Sequence, residues 1–105
     1  MVGMSQYHYT DQTGYNAIRS QATWRFIAQQ PPGNHPFGAY FTPLPQTTRN
    51  LAQKLRIPRD KLKYVFEFTD AGDLTPLPGG RGQYIVYSPT DYEVDKSRQG
   101  YHGPT

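Results

Sequence analysis

Three side chains stand where they could act on a sugar or a nucleotide: His8 in YHYT, Tyr40 in GAYFT and Gln83 in GRGQYIVYS. A histidine on a strand can exchange hydrogen bonds with hydroxyls, and a tyrosine offers a flat electron-rich face to an aromatic or cationic ring. Gln83 stands at a strand entrance, where a carboxylate could polarise a bound sugar or take a proton. An amide there supplies hydrogen bonds but neither charge nor base. Other chemistries are disfavoured. His8, His35 and His102 lack metal-ligand spacing. There is no cysteine and no serine in a strand-to-helix elbow. Gly79, Gly80 and Gly82 lead into a strand and not a helix, so the helix terminus that a phosphate loop needs is missing.

The elements that must carry these residues are short. Gln6 to Thr10 alternates and is aromatic-rich, which predicts a strand, and Asp11 is placed to cap a helix through Ile18. Ala22 to Ile27 fits a strand or a helical turn. Gln29 to Phe37, with Pro31, Pro32 and Pro36, is a loop, and Gly38 to Thr42 is extended. Thr47 or Thr48 is expected to cap a helix carrying Leu51, Ala52 and Leu55. Leu62 to Thr69 is the clearest strand, with Leu62, Tyr64, Phe66 and Phe68 on one face. A turn-rich loop from Asp70 to Gly82 then delivers the chain to a strand at Tyr84 to Tyr87. The stretch 89–105 reads as a polar tail whose end, Gly100 to Thr105, is expected to fray.

A chain of 105 residues reads as one domain, 1–105, with room for one small core. Nine Tyr, five Phe and one Trp must supply much of its apolar area, while ten Gly and ten Pro favour strands and turns over long helices. The absence of cysteine removes disulfides. A formal charge of +3 favours phosphate-bearing ligands without being a nucleic-acid signature. No apolar run approaches the ~20 residues that span a bilayer, and no leader precedes His8.

The order of these segments resembles the H-Y-[Glu/Asp/Gln] ADP-ribosyltransferases, in the toxin branch with the diphtheria-toxin-like and poly(ADP-ribose) polymerase-like fold. YHYT supplies the His position, His8. GAYF supplies Gly38, Tyr40 and Phe41, and a small hydroxyl residue, Thr48, follows Tyr40 by eight. YIVY, which in polymerase-like members directly follows the acid, occurs as Tyr84 to Tyr87, with Gln83 in the acid's place. The resemblance implies an α+β chain, a small split β-sheet with two or three short helices, binding NAD as its substrate.

It further implies a mono-ADP-ribosyltransferase that cleaves NAD and passes ADP-ribose to a protein or nucleic-acid target. His8 is expected to donate to a ribose hydroxyl, with Thr10 near the adenine-side ribose. Backbone groups of Tyr9 would hold the carboxamide, Tyr40 would stack on nicotinamide, and Thr48 would bond its amide. Gln83 would be the third catalytic position, with Asp91, Glu93 and Asp95 as alternative sources of a carboxylate. The family's second stacking tyrosine is replaced by Leu51, so Tyr15 or Trp24 is expected to cover the other ring face. The implied setting is a secreted effector acting in a target cell's cytoplasm, neutralised in its producer by an immunity protein and using no metal. Two other readings stay open: a module that only binds NAD or ADP-ribose, and an RNA-directed transferase suggested by the basic helix Arg49 to Arg56.

Overall fold

The alternating aromatic segments become eight short strands in the computed structural model, which describes residues 4–31 and 35–105. In chain order these are β1 (Ser5–Thr10), β2 (Trp24–Phe26), β3 (Ala39–Phe41), β4 (Tyr64–Thr69), β5 (Thr75–Pro76), β6 (Val86–Ser88), β7 (Tyr92–Val94) and β8 (Gln99–Pro104). Helix α1 (Gln12–Arg19) follows β1, and α2 (Leu51–Leu55) with a 3₁₀ turn at Arg59–Leu62 fills the long connection before β4. The protein is thus an α+β domain with few helices. No helix among the described residues is long and apolar enough to cross a membrane.

The strands form three small antiparallel sheets, ordered β1-β4-β8, β2-β7 and β3-β6-β5. Frequent Pro and Gly keep each sheet narrow, so none can bury a core alone. They do so together. Trp24 and Phe26 from β2, Phe41 from β3, Phe66 and Phe68 from β4, and Tyr92 and Val94 from β7 share one cluster. Its rings meet edge to face, as at Phe26–Phe41 (5.1 Å, 90°) and Trp24–Phe66 (5.0 Å, 68°), the arrangement that aligns ring edges with electron-rich faces.

Local signals decide several boundaries. Asp11 caps α1, its carboxylate accepting from the Gly14 N–H at 2.9 Å. Neither Thr47 nor Thr48 caps α2. The Thr48 N–H instead donates to the Pro45 carbonyl, closing a turn that holds this stretch off the helix. The residue before α2 is Asn50, in a left-handed conformation (φ 58°) with no side-chain cap bond. The strand expected at Tyr84 to Tyr87 begins two residues later, at Val86. The Tyr84 and Ile85 N–H groups both donate to the Arg81 carbonyl and extend the turn. Of the loop Gln29 to Phe37, residues 32–34 lie outside the described set, and its ends are zipped by Gln29 and Gly38.

The stretch 89–105 is no frayed tail. It forms β7 and β8, and β8 pairs with β4 from Tyr64↔Pro104 to Phe68↔Gln99. Without it β4, the strand that carries Phe66 and Phe68, would be left with an open edge. Gly38 is demanded by close approach: a Cβ there would lie 2.4 Å from the Ser88 carbonyl oxygen. Any larger residue would push β3 away from β6, and Tyr40 with it.

Candidate functional site

β1 and β3 belong to different sheets, linked in backbone pairing by an isolated bridge just past β3, where Tyr7 and Thr42 exchange hydrogen bonds of 2.8 and 2.9 Å. A cleft of about 420 Å³ opens beside this split. Tyr7, His8 and Tyr9 line it from β1, Tyr40 from β3, Arg56 and Ile57 from the end of α2, and Arg81 and Ile85 from the loop before β6. The lower wall is fixed by Arg81, whose guanidinium donates to the Lys54 carbonyl at 2.8 Å. That bond ties the glycine-rich loop to α2 across the cleft.

His8 and Tyr40 are 32 residues apart in sequence, and the split brings them together. The His8 Nδ1 lies 3.1 Å from the Tyr40 carbonyl oxygen. A carbonyl can only accept, so Nδ1 carries the proton. Burial against Phe26 (4.8 Å between ring centroids) and Phe41 (5.7 Å) lowers the His8 pKa from its ordinary 6.5, and the bond to Tyr40 offsets only part of that. The ring is therefore neutral at pH 7 and its Nε2 is a lone-pair acceptor. With Nδ1 spent on the Tyr40 carbonyl, the free ring nitrogen of His8 is suited to accept a hydrogen bond and not to donate one.

The Tyr40 ring stacks on Tyr87 at 5.4 Å and 17°, and its hydroxyl donates to the Pro36 carbonyl. Its orientation is thus set from two sides. Burial raises the Tyr40 phenol pKa, and neighbouring Tyr87 raises it further. Burial likewise pushes up the phenols of Tyr7, with Glu67 adding, and of Tyr9, with Tyr7 and Glu67 adding. All three stay protonated near neutrality, and none is a base. Tyr9 spends its hydroxyl on the Leu44 carbonyl at 2.8 Å.

The structure gathers His8, Tyr9 and Tyr40 at the cleft but not the other expected residues. Thr10, Thr48 and Gln83 are not among its lining residues. Thr10 ends β1 against α1, where its hydroxyl would meet any Cβ placed on Gly14. Gln83 lies in the turn between Arg81 and Tyr84 with its side chain exposed. Asp91 is held by Arg25 at 2.9 Å and by the Ala28 N–H at 2.8 Å, and Asp95 bonds Ser97. Glu93 is on β7 opposite Arg25. Neither proposed second ring is present either, since Trp24 is in the core and Tyr15 stacks on Tyr64 at 4.5 Å. Among the described residues no carboxylate lines the cleft, whereas two guanidinium groups, Arg56 and Arg81, do. Spacing gave no hint of that pair, because it depends on a loop crossing to a helix end.

This arrangement can hold a planar ring against Tyr40, accept a hydrogen bond from a hydroxyl at His8 Nε2 and neutralise an anion with two arginines. It cannot supply carboxylate general-base chemistry. The buried neutral His8 also sets a pH response. Its folded-state pKa is below 6.5, so the unfolded chain binds more protons between the two values. Stability is complete above about pH 6.5 and falls as pH drops through that window. Asp91, held below 3.8 by the Ala28 N–H and then Arg25, adds a loss of the same sign at lower pH. Thermal melts from pH 8 to 5 should therefore show a fall in Tm that starts near 6.5, and His8→Gln should flatten it. A wild-type curve flat to pH 5 would place His8 in water. No protein-family model, curated protein or solved structure matches this chain.

Proposed function

We propose that the cleft binds NAD and that the protein is a mono-ADP-ribosyltransferase domain of the toxin type, with a split-sheet ADP-ribosyltransferase fold. The observation that carries this is the meeting of His8 and Tyr40 across the gap between β1 and β3, in a cleft with two arginines. Nicotinamide stacks on the Tyr40 ring beside the edge-on His35, its pyridinium charge drawn to the electron-rich face. His8 Nε2 accepts from a ribose hydroxyl, and Arg56 and Arg81 face the pyrophosphate, a planar bidentate match to its oxygens.

In the transfer, the C–N glycosidic bond breaks and nicotinamide leaves with the electron pair as a neutral molecule. A nucleophile of the target bonds the oxocarbenium-like ribose carbon and releases its proton to water. The chain contributes orientation of NAD, which is worth much of the barrier when two reactants are pre-positioned. Slow transfer of single ADP-ribose units follows from the missing carboxylate. The setting that suits this activity is the effector end of a secreted polymorphic toxin, with an immunity protein plugging the cleft.

The absence of a lining carboxylate favours a second reading, a module that binds NAD or ADP-ribose without turnover. Incubation with NAD and a cell lysate separates the two: released nicotinamide and labelled macromolecules support transfer, whereas calorimetric binding without release supports the module. Exposed on its turn, Gln83 is not a direct contributor in either case. Gln83→Glu and Gln83→Ala should each change NAD turnover less than about 3-fold, below the ~10²-fold at which acid or base groups usually act. A rise of 10-fold or more in Gln83→Glu would restore it as the third catalytic position.

A further inference from the structure

The NAD cleft shares a wall with a second one. Of the residues on and after α2, Leu55 and Arg56 line the first cleft, while Leu51, Ala52 and Gln53 line another of about 460 Å³. This five-residue helix is thus the partition between them, and a helix with its side chains is about 10 Å across. The second cleft has a chemistry of its own. Its polar groups are the carboxamides of Gln46, Asn50 and Gln53, the cations of Arg59 and Lys63, and Thr105, whose hydroxyl donates to the Leu62 carbonyl at 2.7 Å; Leu51 and Leu62 supply apolar surface. No Asp or Glu side chain is among its lining residues.

The charge of the whole chain is concentrated here. Residues 49–63 hold six of the eleven Lys and Arg but one of the eight acids, so this segment carries +5 and the remainder −2. Lys61 pairs with Asp11 at 2.6 Å. Among the described residues, no ion pair engages Arg49, Arg56, Arg59 or Lys63.

We propose that this second cleft and its basic rim dock a single-stranded RNA. Cations without acidic side chains beside them complement a phosphodiester backbone. Carboxamides, each both donor and acceptor, suit base edges and the 2′-hydroxyl, which also donates and accepts. A concave, partly apolar site takes an unstacked base, which a duplex does not present. The partition then places the bound strand one helix away from the NAD cleft. That RNA is also the macromolecule receiving ADP-ribose rests on the NAD reading; the docking itself does not.

The test is fluorescence anisotropy with a labelled 12-nucleotide single-stranded RNA of mixed sequence, a DNA of the same sequence and heparin, from 50 to 300 mM salt. Arg59→Glu/Lys63→Glu should weaken RNA binding at least 10-fold and reduce the salt slope by about 1.4, since each phosphate contact on a single strand contributes roughly 0.7. The milder Arg59→Gln/Lys63→Gln guards against a folding defect and should weaken binding about 3- to 10-fold with an unchanged thermal melt. Tyr40→Ala should leave RNA affinity unchanged, and the Arg59/Lys63 variants should leave NAD affinity unchanged. RNA binding that is absent, or indifferent to Arg59 and Lys63, overturns the site. Equal binding of DNA or heparin overturns the assignment to RNA.

Discussion

Tyr40→Ala is expected to weaken NAD binding by about 5- to 150-fold, because stacking a base-like ring on an aromatic side chain is worth ~1–3 kcal/mol. The domain should remain folded, since the half-buried Tyr40 sits at the edge of the core, its ring packing on Tyr87 at 5.4 Å and edge-on to His35 at 6.5 Å. Tyr40→Phe separates stacking from hydrogen bonding. The Tyr40 hydroxyl is spent on the Pro36 carbonyl, so removing it should cost less than about 3-fold in NAD affinity. Calorimetric titration of wild type and both variants checks this. Equal losses in Ala and Phe would mean that the hydroxyl contacts the ligand; no loss in Ala would remove Tyr40 from the site.

A chain ending at Arg98 is expected to lose cooperative folding. The truncation removes β8 and with it the pairings of Tyr64, Val65, Phe66 and Phe68. It also takes away His102, which stacks on Phe66 at 6.0 Å and packs edge-on to Trp24 at 5.6 Å. Gln99, whose amide donates to the Ala22 and Val94 carbonyls, goes too. Phe66 and Val65, both buried, would then flank an open strand edge. Such a loss amounts to several kcal/mol against a total stability of ~5–15 kcal/mol for a domain of this size. Urea unfolding of the truncated chain should show no cooperative transition, or a midpoint reduced by more than about half. An unchanged transition would make β8 an appendage.

What the sequence revealed depended on how local each signal was. The β1 to α1 join was readable because a strand, Asp11 and a helix face follow one another, and the cap bond to Gly14 is a three-residue event. β4 was readable because Tyr64, Phe66 and Phe68 alternate over six residues. β8 was invisible because Gln99-Gly100-Tyr101-His102-Gly103-Pro104 has no strand propensity of its own; it is extended because β4 supplies the ladder. The Thr48 cap was a sound local expectation overridden by the Pro45 turn.

The site divides in the same way. His8 and Tyr40 could be nominated from segment order, yet their contact depends on the Tyr7–Thr42 bridge between sheets. Gln83 was nominated from its place before YIVY, and the turn at Arg81 moves the strand start beyond it. Arg56 and Arg81 carried no signal as a pair, because their proximity rests on a guanidinium crossing to a helix-end carbonyl. Non-local pairs of this kind are where residue patterns carry least information.

The most direct measurement is an NAD titration followed by amide chemical shifts of the folded protein. One saturable site is expected, with the largest shifts at Tyr7 to Tyr9, Tyr40 to Thr42 and Arg81 to Ile85, and with those shifts lost in Tyr40→Ala. Shifts absent at millimolar NAD, or centred away from β1 and β3, would contradict an NAD site in this cleft.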